Sequence, residues 1–281
     1  MRHYFSIFVD AYLSFIEDDG WAIASHIALT TLMSMFPFLI FLTALAGFFG
    51  SKGLADQAAS ILLEAWPEQV AAPIASEIHN VLTQSRSGLA TVGAVLALYF
   101  SSSGVEAIRV GLNRAYRVRD QRGWWLLRLE SVAYVLVGAL ALLALAFLVV
   151  LGPLIWGRLL TSFPGLAPLA AAVTTARYLI TALLLTGALI IAHKWLPAEN
   201  NGLRQVLPGI CLTVALSIVF AVAFAAYLAQ FARTYVTTYA GIASVMIALV
   251  FLYSLAAIFV FGGELNAAIC RDKRRQDSFR A

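Results

Sequence analysis

Charge is scarce in this chain. Asp, Glu, Lys and Arg make up 12% of its 281 residues, about half the roughly 25% usual for soluble domains, and that shortfall excludes an ordinary water-facing surface. With 61% apolar residues and a mean hydropathy of +0.85, the chain reads as an integral membrane protein. Cysteine is nearly missing as well. Cys211 lies within an apolar run and Cys270 closes another, with no CxxC pair or Cys/His cluster, so neither a disulfide framework nor a zinc site is expected. The four histidines, His3, His26, His79 and His193, stand far apart without HxH or HxxxH spacing. No cluster of acids accompanies them, so a metal-assisted nuclease site has no basis here. There is no glycine-rich phosphate loop, no Ser-His-Asp arrangement and no cofactor motif. No internal repeat, low-complexity tract or second soluble domain stands out. A secretory signal is not expected either, because the first long apolar run follows Glu17, Asp18 and Asp19 and far exceeds a signal's apolar core. The net charge of +4 sits between apolar segments, where it reports orientation and not a nucleic-acid partner.

Apolar runs dominate what is present. A bilayer core of about 30 Å takes roughly 20 helical residues. Five runs exceed that length: Trp21 to Phe49, Val132 to Trp156, Leu169 to Trp195, Val206 to Phe231, and Tyr239 to Ile269. A sixth is apolar from Gly88 to Phe100 but continues into Ser101, Ser102, Ser103 and Gly104, then Glu106 and Arg109. A crossing there must be shielded by neighbouring helices, or be short and partly unwound. The arginines argue for it. Arg109, Arg114, Arg117, Arg119, Arg122 and Arg128 follow this weak span, and Arg271, Lys273, Arg274, Arg275 and Arg280 crowd the C-terminus. Both groups belong on the cytoplasmic side. With six spans and both termini inside, 14 of the 19 Lys and Arg lie inside, four outside, and Arg177 within a span. Without the weak span, the six-arginine segment would face outward.

The expected architecture is therefore an all-α bundle of six transmembrane helices, over 21–50, 88–108, 131–157, 168–195, 206–231 and 239–270. An Arg-rich cytoplasmic segment covers 109–130 and a basic cytoplasmic tail covers 271–281. Tyr4, Phe5, Phe8, Val9, Tyr12, Phe15 and Ile16 form one helical stripe opposite Asp10, Ser14 and Glu17, so residues 1–20 predict a helix along the inner interface or packed on the bundle. Between Leu54 and Leu82, two short amphipathic patterns flank Pro67 and Pro73, predicting a small, acidic helical cap over 51–87 on the outer side.

The succession "LMSMFPFLI" (32–40), "SSSGVEAIRVGLNRAYRV" (101–118), "ARYLITALLL" (176–185), "KWLPAENNGLRQVLPG" (194–209) and "YVTTYAGIASVMIALVFLYSLAAIFVFGGELNAAI" (235–269) resembles the YihY/BrkB family. The likeness runs in order over nearly the whole chain. It departs at Tyr239, Ala240 and Gly241, where the family often has Tyr-Gly-Ser, and at Phe251, where a Trp is common. The resemblance implies a multi-pass protein of the bacterial inner membrane, which makes the cap periplasmic. Some members carry a ribonuclease label, others a virulence or serum-resistance label, and transport has been suggested.

A few polar groups at membrane depth are the functional candidates, because a charge at the bilayer centre costs about 2.5–3.5 kcal/mol on insertion scales. Glu264 is the one acid between Glu199 and Asp272, and roughly 22 residues after Gly241 it reaches the cytoplasmic boundary. It is either an interfacial carboxylate paired with a loop arginine such as Arg271, or a gate or coupling-ion group facing an inner cavity. Glu106, Arg109, Asn113 and Arg117 share one helical arc. The expectation is that Glu264, with Asn266, closes the cytoplasmic end against Arg109 and Asn113; the plainer alternative is a solvated face. Pro37 shares a face with His26, Thr30 and Met33. It frees the Met33 carbonyl, with the Thr30 or Ser34 hydroxyl compensating, so it predicts a hinge or a static bend. Arg177, ~12 Å along its helix from Leu169, either snorkels to the outer surface or faces the bundle and attracts an anion such as a lipid headgroup or phosphate.

Two function classes follow. A translocator of a small anionic solute or envelope lipid would use the interrupted second span, Pro37 and the polar groups near both boundaries as a pathway. A non-transporting scaffold would hold anionic membrane lipid with its basic segments. A polar cavity at mid-membrane lined by Ser101, Ser102 and Ser103 favours the first, and a bundle packed shut favours the second. Gly93, Ala94, Ala97, Gly138 and Ala139 could let helices approach within one chain or between copies in a homo-oligomer.

Overall fold

The structure, a computed structural model, describes residues 2–48, 90–146, 148, 152–199, 202–239 and 243–280. The expected cap over 51–87 lies outside them. Among the described residues there are helices and no strand, as a chain without water in its surroundings requires if each backbone N–H and C=O is to be satisfied locally. In order these are α1 (Arg2–Glu17), α2 (Gly20–Phe48), α3 (Ala90–Ala115), α4 (Trp124–Ala146), α5 (Gly152–Ser162), a 3₁₀ turn (Pro164–Leu169), α6 (Ala170–Trp195), α7 (Leu203–Tyr239) and α8 (Ala243–Arg280).

Five segments among the described residues are long and apolar enough to cross a membrane: Val95–Ala115, Trp124–Leu145, Gly165–Trp195, Leu203–Gln230 and Val245–Gln276. Their many exposed Leu, Val, Ile and Phe side chains form the surface that lipid would cover. Helices extend further than hydropathy suggests. α3 runs on through Arg109 and Arg114, and α8 continues to Arg280. The expected Arg-rich segment over 109–130 is thus largely helical, with its non-helical turn over residues 116–123, and the expected tail over 271–281 is helical up to Arg280, where α8 ends, residue 281 lying outside the described residues. Long cationic side chains keep their stems on the bundle while their heads reach acids beyond it, so charge does not end a helix.

The serine patch is helical too. Ser101 and Ser102 donate to the Leu98 and Tyr99 carbonyls at 2.9 and 2.6 Å, and both are buried. Of the two expectations, shielding holds and unwinding does not. The shield is α2: a Cβ on Gly104 would lie 2.6 Å from Ser34 Oγ, so only glycine lets α3 settle this close. α2 is continuous through Pro37. Ser34 Oγ donates to the Thr31 carbonyl at 3.1 Å, and not to the Met33 carbonyl that the proline frees.

α1 is tied to the bundle by Ala11, Ser14 and Phe15, all buried, with Phe8 and Phe15 edge-on to Phe261 at 5.4 and 6.0 Å. Phe5, Val9, Tyr12 and Ile16 stay exposed, so the helix both packs on α8 and presents an apolar strip outward. Asp19, at φ 55°, breaks it from α2, a left-handed position that Asp tolerates better than most residues.

One end of the bundle is knitted by charge. Arg117 reaches Asp18 at 2.8 Å and Glu17 at 3.2 Å, and Arg114 reaches Asp19 at 3.2 Å. Arg271 donates to Asp10 and Ser14 at 3.1 and 2.8 Å, His3 lies 3.2 Å from Asp272, and Arg274 pairs with Glu199. α1, the last part of α8, the α3–α4 turn and the α6–α7 turn therefore meet at this basic end.

Candidate functional site

The polar stripe of α3 turns toward α4. Arg109, 2% exposed, donates to the Leu127 carbonyl at 2.9 Å and Ser131 Oγ at 3.1 Å, and sits 3.4 Å from Glu106. Arg128 approaches the same carboxylate at 2.7 Å, donates to the Tyr99 carbonyl at 2.7 Å and Ser103 Oγ at 3.2 Å, and lies 3.9 Å over the Tyr99 ring. Two buried guanidiniums thus share one carboxylate, and Ser103 belongs to this network. Further toward the basic end, Arg122 forks onto both Asp120 oxygens at 2.9 and 2.7 Å and holds Glu130 at 2.7 Å. Asn113 donates to Asp120 at 3.4 Å and accepts from the Ala198 N–H at 2.7 Å, which fastens the α6–α7 turn to α3. The Arg122 fork holds the Asp120 carboxyl down to about 2, and the same contact raises Arg122.

Glu264 is 0% exposed, and neither of its oxygens has a hydrogen-bond partner among the described residues. The expected pairing with Arg109 does not form. Gly263 is the residue that rests on α3, against Leu112 and Ala115, so Glu264 points about 100° away from it, while the Arg109 donors go to Glu106, Leu127 and Ser131. The alternative partner, Arg271, is taken by Asp10 and Ser14. The charges whose fields reach Glu264 are Asp18, Arg271, Arg117 and Asp10, and each of them is engaged in a pair of its own. Nor does Asn266 meet Asn113. Its Oδ1 accepts the Gly209 N–H at 2.7 Å, and its Nδ2 is unpartnered.

That amide is one of several orphans between α3, α6, α7 and α8. The Thr213 hydroxyl presses on Gly262, where a Cβ would collide with it. Both nitrogens of the buried His193 lack partners among the described residues, its ring tilted against Phe259 at 4.5 Å. The Tyr116 hydroxyl faces Asn266 outside hydrogen-bond geometry, and burial pushes it above its ordinary range. Sequence reasoning missed Tyr116, Thr213 and His193 as site residues, since only the missing partners make them unusual.

Arg177 lines a cavity of about 460 Å³ between α5 and α6, with Trp156 and Thr174. A second cavity, about 330 Å³, opens between α3, α4 and α6. A third, about 280 Å³, lies between α1 and α8 beside Asp10, Asp272 and Arg275. Ser101, Ser102 and Ser103 line none of these three. Among the described residues, no three His, Cys, Asp or Glu side chains converge as metal ligands would.

A sequence model of the family described as Virulence factor BrkB matches residues 11–281. The chain is 27% identical over 260 residues to YfkH of Bacillus subtilis (strain 168), a protein named ribonuclease-like; the match spans 92% of this chain and 93% of that one. No solved structure matches.

Proposed function

This chain belongs to the BrkB family of membrane proteins, and from that premise we propose that it is a translocator of a small anionic solute or envelope lipid, crossing the bacterial inner membrane six times. α2 supplies the sixth crossing beside the five long apolar segments, because its 29 residues include no Asp, Glu, Lys or Arg. Parity supports the count. Both termini lie at the basic end, which takes an even number of crossings, and the arginines gathered there favour the cytoplasm.

The observation that carries the reading is Glu264. An ionised carboxylate buried without a partner costs several kcal/mol, and a glutamine or leucine would spare a purely structural helix that penalty. A buried acid of this kind in a span is a functional group by default, receiving a proton or cation during a cycle. Around it the basic end is shut by ion pairs, which suits a gate. A scaffold for envelope assembly is the second reading, favoured by the packing of Ser101 and Ser102 against α2. A nuclease is the third reading; the relative's name alone points to it, and the four histidines are far apart in the sequence.

The test is flux in reconstituted vesicles over a panel of anionic solutes and lipids. The expected result is flux above empty vesicles with the wild type and a loss of at least about tenfold in Glu264→Gln, with no loss of thermal stability. No flux above empty vesicles across the panel would leave the scaffold reading standing.

A further inference from the structure

Two cavities share one face of α6. On that helix the first is lined by Thr174, Arg177 and Ile180, and the second by Leu184, Gly187 and Ile191. These residues follow one another at three- and four-residue steps, so the cavities stack along a single stripe. From Arg177 to Ile191 the stripe is ~21 Å long.

Their chemistries differ. The first cavity is lined by three side chains that carry hydrogen-bond donors, Arg177, Thr174 and Trp156, and by no acid among the described residues; the Arg177 guanidinium lies 5.1 Å from the Tyr178 ring centroid. The indole Nε1 is buried and has no hydrogen-bond acceptor among the described residues, although a desolvated N–H normally finds one. The second cavity is walled by Val105, Ile108, Val137, Leu183, Leu184 and Ile191, and its one polar side chain, Tyr134, is turned to Glu130 at 3.5 Å. Gly138 and Gly187 belong to this slot, and a Cβ on either would meet nothing within 4 Å. These glycines do not serve close helix packing; they leave space. No residue in the most apolar stretch of Gly165–Trp195 is fully buried among the described residues.

We propose that this face of α6 binds one anionic phospholipid, its phosphate on Arg177, Thr174 and Trp156 and an acyl chain in the slot between α3, α4 and α6. A phosphate oxygen satisfies the orphaned indole and takes the guanidinium fork. A free phosphate would satisfy the donors yet leave the slot empty, whereas a lipid fills both. The proposal rests on the translocation reading only for its purpose; the site stands on its own geometry.

The experiment is native mass spectrometry of the full chain with added phosphatidylglycerol, with glycerol phosphate as the tail-less competitor. Arg177→Gln removes the head contact, and Gly187→Leu fills the slot in space no protein atom occupies. The expected result is one lipid retained per wild-type chain, at least about tenfold weaker retention in each variant, and no displacement by glycerol phosphate in excess. Wild-type retention in both variants overturns the proposal, and displacement by glycerol phosphate makes the site one for free phosphate. Glu264→Gln should retain lipid as the wild type does. Lipid bound without any flux sinks translocation and leaves the site, whereas flux in the wild type together with wild-type lipid retention in Arg177→Gln and Gly187→Leu sinks the site and leaves translocation.

Discussion

Replacing Glu106 with glutamine should destabilise the bundle far more than removing any exposed ion pair. The carboxylate neutralises two guanidiniums, Arg109 at 3.4 Å and Arg128 at 2.7 Å, both buried. After the change, Arg109 keeps only the Leu127 carbonyl and Ser131, and Arg128 keeps the Tyr99 carbonyl and Ser103. Arg128 Nε already has no acceptor, so the network has none to spare. Breaking a buried pair costs about 3–5 kcal/mol; because the Glu106 side chain is 30% exposed, water offsets part of this and about 3 kcal/mol is the working figure. At about 2–4 °C per kcal/mol on the scale of soluble chains, the melting temperature in detergent should fall by about 6–12 °C. The control is Arg114→Ala, whose side chain is 53% exposed and whose partner Asp19 is 70% exposed. Exposed pairs contribute about 0–1 kcal/mol. Adding Arg128→Gln to Glu106→Gln should recover part of the loss, since it removes one of the stranded cations. If Glu106→Gln melts within a degree or so of Arg114→Ala, the claim that these guanidiniums depend on one carboxylate is wrong.

Acid should act through Asp120. Its carboxyl ionises at about 2 in the folded chain against an ordinary 3.8, so between those values the unfolded chain binds more protons and stability falls as pH drops through the window. Melting temperature recorded from pH 5 to pH 2 should decline more steeply in the wild type than in Asp120→Asn; parallel declines would show that the Arg122 fork contributes nothing. Gly262→Ala sets a new Cβ against the Thr213 hydroxyl and the Gly209 carbonyl and should cost about 1–3 kcal/mol, whereas Gly138→Ala, with open space beside it, should be silent; equal melting temperatures for the two would refute that packing. Topology can be read from Arg119→Cys in a Cys211→Ser background. An impermeant maleimide should label it only after cells are permeabilised, and labelling of intact cells would remove the six-span reading.

Hydropathy and arginine placement made most of the long apolar helices and the basic end legible, because both depend on composition along one helix. The contacts of Glu264 and Arg109 were not legible, for a different reason. A helical arc tells which residues of α3 travel together, but not which neighbour the arc faces. That choice is made by glycines elsewhere. Gly263 lets Leu112 and Ala115 of α3 seat against α8, and this seating turns Arg109 toward α4 and leaves Glu264 alone. The serine patch carries the same lesson: its polarity suggested a break, yet the i−3 carbonyls satisfy Ser101 and Ser102, and Gly104 brings α2 close enough to cover them. Tyr116, Thr213 and His193 were invisible because their distinction is a partner they lack, a property of the folded bundle and of no sequence pattern. Small residues therefore decide where this protein keeps its charges apart. Where glycine draws two helices together, as at Gly209 and Gly262, polar atoms are trapped; where it leaves a gap, as at Gly138 and Gly187, there is room for a guest.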